Sequence, residues 1–390
     1  IPCLEPSDSQ EAKDMTILAF ELSEEFGLPV MLRSVTRVSH SLSPVRLGDI
    51  RNANKISIHK DPSTMIAIPS NVIRCHRTLN QKYERLRDWV SKNGLNRIYR
   101  DDQKKGIITC GVTYNYALEY GSDYAILKIS AYPFDENLIK DFVSGLEEVW
   151  VLEEGDTLLE EVARKYSEKV KGKLTGEINA EGELGPDAMG RYIWGEQPLK
   201  PFDSLPKRPP VMCQGCPHRE LYYALKKAGP SFVAGDIGCY TLGATPPLSA
   251  IDTCLCMGAS ISKAAGMSQM GIKRVAAVIG DSTFLHAGIP ALISAVYNRA
   301  NILVIIMDNS VIAMTGHQPT PAIGITATGA EGGKISLEDI CKAAGVDSVT
   351  VIRPYDVEPT AELIKEKLDS KGVHVIISRS PCVLAARKYN

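Results

Sequence analysis

Three things are missing from this sequence, and each absence excludes a class of protein. None of its apolar runs approaches the roughly 18 residues that a membrane-spanning helix needs, and no charged-then-apolar leader opens it. Excess charge of either sign is missing too. The 44 Lys and Arg stand against 46 Asp and Glu, a balance of −2, which gives no electrostatic case for a nucleic-acid partner or an anionic membrane. Nor do the cysteines form a disulfide framework: the 10 in these 390 residues are dispersed or in short-spaced pairs, which favours reduced thiols and metal ligation. The expectation is a soluble, cytoplasmic chain of two to three domains.

What is present is organised around residues 274–318, RVAAVIGDSTFLHAGIPALISAVYNRANILVIIMDNSVIAMTGHQ. Residues 274–279 and 301–307 are continuous apolar, β-branched runs, as expected of strands buried on both faces of a parallel sheet, with a helix over 288–299 between them. Each run ends in a polar turn, Gly280-Asp281-Ser282 and Asp308-Asn309-Ser310. In an open parallel sheet ligands sit beyond the carboxyl ends of the strands, so both turns fall on the same rim. The Asp281 carboxylate, the Asn309 amide oxygen and the Val311 carbonyl would give half the oxygen shell of a Mg²⁺ ion, with a phosphate completing it. Gly280, Ser282 and Thr283 stand where N–H groups and hydroxyls meet phosphate at a helix start. The plainer alternative is a βαβ unit whose Asp and Asn only cap turns.

Elsewhere the pattern is coarser. Residues 1–6 suggest the end of a strand, Ser7 an N-cap for an amphipathic helix through Glu25, and 30–38 a further strand. Glu5, Glu11, Glu21, Glu24 and Glu25 are expected on a solvated face. Residues 41–100 form a connecting segment with a charged helix at 78–91, and His40, His59 and His76 are surface or turn residues there. Alternating strands (107–112, 124–129, 148–152) and helices (113–120, 137–144, 157–170) indicate a small parallel α/β domain over 101–180, followed by a Gly- and Pro-containing linker, 181–210. The last domain, 211–390, opens on Cys213-Gln214-Gly215-Cys216, with Cys239 after the next strand and Cys382 near its end. Such a CxxC is redox-active, zinc-binding or structural. Cys254 and Cys256 are expected as small apolar residues.

Gly280-Asp281-Ser282 with Asp308-Asn309 resembles the thiamine diphosphate motif GDG…NN, with Ser282 for the last Gly and Asp308 for the first Asn. Together with CQGCPHR, GDIGCYTLG, DTCLCMGASI, GDSTFLHAGIP and DNSVIAMTGHQP, essentially the whole chain is similar to the alpha, thiamine diphosphate-binding subunit of indolepyruvate:ferredoxin oxidoreductases, in the 2-oxoacid:ferredoxin oxidoreductase superfamily. The resemblance implies a multi-domain α/β, parallel-sheet thiamine fold. In that scheme residues 1–40 are the end of a pyrimidine-binding domain, 101–180 a transketolase C-terminal-like domain and 211–390 the diphosphate-binding domain. Ile1 then opens a fragment that lacks most of the pyrimidine-binding domain, with its activating glutamate, and a C-terminal ferredoxin-like tail.

The same resemblance implies thiamine diphosphate, Mg²⁺ on Asp281, Asn309 and Val311, and a [4Fe–4S] cluster on Cys213, Cys216, Cys239 and Cys382, with Gln214 in place of the usual Pro. It makes His218 a catalytic acid or base. It places Met257 and Gly258 under the thiazolium, and Asp236 and Gly238 by the diphosphate or the cluster. His317 stands where the pattern has glycine. The implied reaction is oxidative decarboxylation of aryl 2-oxo acids to aryl-acyl-coenzyme A, with electrons passing to ferredoxin. The implied assembly is a hetero-oligomer with a beta (gamma-type) subunit. Two rivals remain open: a pyruvate-type thiamine oxidoreductase or decarboxylase, and a non-catalytic subunit holding zinc.

Overall fold

A computed structural model describes residues 1–50, 60–195, 206 and 208–385. Expectations that fall on the remaining residues, including the surface placement of His59, lie outside the described residues. The chain divides into two compact units, Ile1–Asp203 and Ser204–Asn390. Residues 1–40, 41–100 and 101–180 therefore share the first unit, and 211–390 lie in the second. No helix among the described residues is long and apolar enough to cross a membrane.

The first unit opens with β1 (Cys3–Leu4) and β2 (Met31–Leu32), a parallel pair. Only two residues of the strand expected over 30–38 pair, and Thr36–Ser39 is a short helix instead. Between them runs the helix Ser9–Phe26, ended by Gly27 in the left-handed region at φ 56°. Its N-cap is Asp8, not Ser7: the Asp8 carboxylate accepts the Glu11 N–H at 2.8 Å, while Ser7 donates N–H and hydroxyl to the Glu11 carboxylate, each at 2.8 Å. The two ends of the turn are thus tied reciprocally.

Next come β3 (Arg97–Tyr99), β4 (Lys105–Cys110), β5 (Ala125–Ile129), β6 (Ala131–Tyr132), β7 (Glu148–Leu152) and β8 (Val170–Lys171). Five of them form a sheet in the order β3-β5-β4-β7-β8, parallel except at β3, and β6 joins β1 in a small second sheet, β2-β1-β6. The charged helix expected over 78–91 is longer, Pro69–Lys92, because Pro69 stands in its first turn, where a missing N–H costs nothing. The helix expected over 157–170 stops at Arg164. The linker holds the helix Pro186–Trp194, and Ile178, Leu184 and Met189 pack against Ile107, Ile126 and Leu152 of the sheet.

The second unit is a parallel sheet of β9 (Phe232–Ala234), β10 (Val275–Gly280), β11 (Ile302–Asp308), β12 (Ser348–Ile352) and β13 (Val373–Arg379), in the order β12-β13-β11-β10-β9. Alternate side chains of β10 and β11 serve opposite faces. Ala276, Val278, Leu303 and Ile305 meet the helices His218–Ala228 and Val357–Asp369. Val275, Ala277, Val304 and Ile306 meet Ser260–Gln269, Ile289–Tyr297 and Leu337–Ala343. Helices on both faces explain why these strands read as unbroken apolar runs.

Candidate functional site

Register brings the carboxyl ends of the central strands level. Gly280 pairs with Met307, Met307 with Ser378 and Asp308 with Arg379, so the chain leaves β10, β11 and β13 along one edge. Asp281 begins a helical run there. The turn Asp281–Thr283 widens into a π-turn, Phe284–Gly288, before the helix Ile289–Tyr297 continues. Such one-residue bulges are frequent at functional sites.

Asp281 is 2 % exposed, and its Oδ2 is shut away from solvent without a hydrogen-bond partner. Burial, with the Asp308 carboxylate behind it, pushes its carboxyl up to about 7. A buried carboxylate oxygen with no donor is costly, and a hard cation is the partner that would satisfy it. Asn309 and Val311 flank it across a cavity of about 250 Å³ that Gly238, Gly280, Ser282 and Thr283 also line. The Asn309 Oδ1 accepts the Val311 N–H at 3.2 Å, so the loop's own backbone engages it in this arrangement.

Asp308 replaces an amide of the usual motif by a charge, and the fold compensates it. Its Oδ2 accepts Arg379 Nε at 2.6 Å, its Oδ1 accepts the Ser310 N–H at 3.0 Å, and Arg379 also grips Glu338 bidentately at 2.8 and 3.0 Å. That grip holds the Glu338 carboxyl below its usual range. These residues carried no local signal, since Glu338 and Arg379 lie 41 positions apart.

Asp236 does not face the cavity as a ligand. Its carboxylate accepts Gly258 N–H at 2.7 Å, Ser260 N–H at 2.9 Å and Ile237 N–H at 2.9 Å, so it ties down the loop that ends at the start of the helix Ser260–Gln269. Gly258 sits at φ 88°, where a Cβ would stand 2.5 Å from that of Ala287, so the close approach requires glycine. Met257 lines the cavity and is 45 % exposed, so it is not buried core. Cys256 is exposed and Cys254 half-buried, and neither lines this cavity or the one holding the other cysteines.

Cys213, Cys216, Cys239 and Cys382 line one cavity of about 260 Å³. Cys382 N–H donates to the Asn309 carbonyl at 3.1 Å, which hangs the last cysteine from the loop that carries Asn309. Burial first, then the neighbouring thiols, pushes the Cys216 and Cys239 thiols up. Among the described residues no three His, Cys, Asp or Glu side chains stand close enough to hold a single metal ion.

His218 is 1 % exposed, with Nε2 at 3.0 Å from the Ser378 carbonyl and Nδ1 at 3.3 Å from the Tyr240 hydroxyl. A carbonyl can only accept, so Nε2 carries the proton and Nδ1 accepts from Tyr240. Both nitrogens are engaged in this arrangement, and burial lowers the ring's pKa. His218 positions Tyr240, whose ring meets it edge-on at 5.1 Å. Tyr240 is the residue that sequence reasoning missed: it lines both the Asp281 cavity and the cysteine cavity, and a Cβ on Gly280 would meet its ring at 3.4 Å. Its only cue was its place after Cys239.

His317 adopts φ 66°, in the left-handed region, which accounts for glycine at that place in the pattern. Its Nε2 is buried without a partner. It lines the cysteine cavity and a third, apolar cavity of about 510 Å³.

Residues 236–378 match the family described as thiamine pyrophosphate enzyme, C-terminal TPP binding domain. Subunit IorA of indolepyruvate oxidoreductase from Methanothermobacter thermautotrophicus is 39 % identical, over 99 % of this chain and 67 % of that protein. The chain belongs to the indolepyruvate oxidoreductase subunit IorA family. The member from Archaeoglobus fulgidus is 37 % identical over 98 % of this chain and 66 % of its own length, so the chain spans about two thirds of the curated relatives it matches. A 2-oxoglutarate:ferredoxin oxidoreductase from Magnetococcus marinus shares 20 % identity over 47 % of this chain and 68 % of its own, at a TM-score of 0.40, a level that says nothing about the site. The matched residues 236–378 include Cys239, Asp281 and Asn309.

Proposed function

We propose that this chain is the thiamine diphosphate- and Mg²⁺-binding part of an oxidoreductase that decarboxylates aryl 2-oxo acids, passes electrons through iron–sulfur to ferredoxin and delivers the acyl group to coenzyme A, in a hetero-oligomer with a second subunit. The observation that carries it is a shared wall: the cavity with the bare Asp281 oxygen and the cavity with four thiols have Cys239, Tyr240 and Asn309 in common.

Thiamine diphosphate supplies the carbanion stabilisation of 2-oxo acid decarboxylation and the cluster a one-electron acceptor. The rest falls to side chains. Asp281, whose Oδ2 has no partner, would hold Mg²⁺ together with Asn309 and Val311, and the ion would neutralise the buried charge. Ser282, Thr283 and Gly280 would meet the diphosphate at the start of the helical run. Asp236 fixes the loop bearing Met257 and Gly258 by its three backbone bonds. Four thiols lining one cavity match the four thiolates that a [4Fe–4S] cluster requires. Tyr240, held by His218, stands in the wall that the two cavities share.

Anaerobic reconstitution with iron and sulfide tests this. Broad visible absorption and about four irons per chain are expected, lost on Cys382→Ser but retained on Cys341→Ser. A colourless protein with one zinc per chain would sink the cluster assignment.

A further inference from the structure

Two loops with different tasks start side by side. The loop after β11 carries Asn309, and the loop after β13 carries Cys382. Asp308 and Arg379, from which they start, are register partners at the carboxyl end of the sheet. The ladder closes there with Ser380 N–H donating to the Asp308 carbonyl at 2.9 Å. Beyond it the loops are joined by Cys382 N–H, which donates to the Asn309 carbonyl at 3.1 Å.

Side chains at this corner hold the loops a second time. Arg379 Nε donates to Asp308 Oδ2 at 2.6 Å, while its two Nη atoms donate at 2.8 and 3.0 Å to Glu338, in the first turn of the helix Leu337–Ala343. The other Asp308 oxygen accepts the Ser310 N–H at 3.0 Å and the Ser310 hydroxyl at 3.2 Å, which holds Ser310 at φ 61°, a left-handed conformation that serine rarely adopts. Asn309 lies inside this turn. Its path is therefore set by a carboxylate whose own place is set by Arg379. One guanidinium spanning two carboxylates braces three elements at the root of both loops.

We propose that Arg379 is a positioning residue for both cavities, and that through it the filling of the thiol cavity tightens binding at Asp281 and Asn309. The proposal rests on the function given above and adds a link between its two sites. Whatever fixes Cys382 also fixes, through its N–H, the Asn309 carbonyl, so the Asn309 loop has less freedom to lose when its own ligand arrives. By linkage the gain is reciprocal. Without the brace the two loops still touch but order independently.

The experiment measures the affinity of the full chain for Mg²⁺-thiamine diphosphate by calorimetry, before and after anaerobic reconstitution with iron and sulfide. The quantity read is the ratio of the dissociation constants. Reconstituted wild type binds about fivefold tighter or more, the low end of ordinary coupling between sites, and Arg379→Met brings the ratio to about one. Arg379→Met leaves the buried Asp308 charge unpaired, so the double variant Asp308→Asn, Arg379→Met, which carries no such charge, must lose the ratio as well. Arg274→Met, which removes the ion pair to Asp369 at the amino end of β10, keeps the wild-type ratio. A purely structural or electrostatic role of Arg379 shifts both dissociation constants alike and leaves their ratio untouched. A wild-type ratio in both Arg379 variants therefore overturns the proposal. Equal affinities in the wild type, with both groups bound, overturn it too and leave the function proposed above standing. A wild type that takes up no cluster or no thiamine diphosphate overturns that function, and this proposal with it.

Discussion

Both units carry a buried carboxylate just past a central strand, and both carboxyls are pushed up to about 7 by burial. Their surroundings differ. Glu153, after β7, accepts Leu159 N–H at 2.8 Å and Glu160 N–H at 2.9 Å, closing the first turn of its helix with both oxygens. Asp281, after β10, leaves Oδ2 bare. The contrast extends along each unit: of the buried side-chain polar atoms without a partner among the described residues, all but Trp150 Nε1 lie in the second unit. The first unit's groove of about 610 Å³, between Gly27 and the helix Pro69–Lys92, holds no such atom. One carboxylate is satisfied by its own backbone, and the other keeps an oxygen without a donor.

The largest effect should separate the two carboxylates by cofactor. Asp281→Ala is expected to weaken Mg²⁺-dependent thiamine diphosphate binding at least about 100-fold, near 3 kcal/mol, in calorimetry, while Glu153→Ala leaves it alone. Equal affinities for wild type and Asp281→Ala would erase the distinction.

Next in size is stability, where the signs should oppose. In metal-free buffer at pH 8, Glu153→Ala strands two buried N–H groups and is expected to cost about 2–4 kcal/mol, whereas Asp281→Asn removes a buried unpaired charge and should raise the denaturation midpoint. A fall in both variants would mean that Asp281 is held as firmly as Glu153. The pH dependence of Glu153 is part of this comparison. Its folded value, about 7, lies above its ordinary 4.5, so between those values the unfolded chain has lost a proton that the folded chain keeps. The contribution of Glu153 to stability then falls as pH rises from 4.5 through about 7, by about 3 kcal/mol in all, and is flat above. Glu153→Gln should flatten that slope in urea titrations.

Smallest are the helix caps, where the units should not differ. Asp8 and Ser336 each accept one N–H at a helix start, at 2.8 and 3.2 Å. Asp8→Ala and Ser336→Ala should each cost about 1 kcal/mol in thermal melts. A markedly larger cost in one unit would show that its edge depends on more than the bonds named here.

What could be read beforehand follows the same division. β10 and β11 are evident because burial on both faces leaves an uninterrupted apolar run, and Asp281 and Asn309 because each follows such a run directly. The helix Thr113–Tyr120 matches its expectation residue for residue, since an adjacent strand and Gly121 frame it. Glu5 was misplaced on a solvated face: it is 2 % exposed, paired with Arg33 and accepting the Tyr132 hydroxyl at 3.0 Å, partners 28 and 127 positions away. Glu11 is likewise half-buried and paired with Lys128, whereas Glu24 and Glu25 are exposed as expected. The surroundings of His218 were illegible for the same reason, because the carbonyl at its Nε2 belongs to Ser378, 160 positions on. Local pattern reports burial of apolar faces; it carries no record of which distant group neutralises a buried polar one.

The π-turn Phe284–Gly288 has a consequence for how this edge can change. One residue added to a helix rotates everything before it by roughly 100° relative to everything after it. The added residue thus sets the phase between the face that Ala291, Leu292 and Ala295 present to the sheet and the direction in which Asp281 points. The bulge therefore couples the two: a one-residue deletion within 284–288 would re-aim the carboxylate and at the same time turn Phe284, which is fully buried in the same core, out of its place.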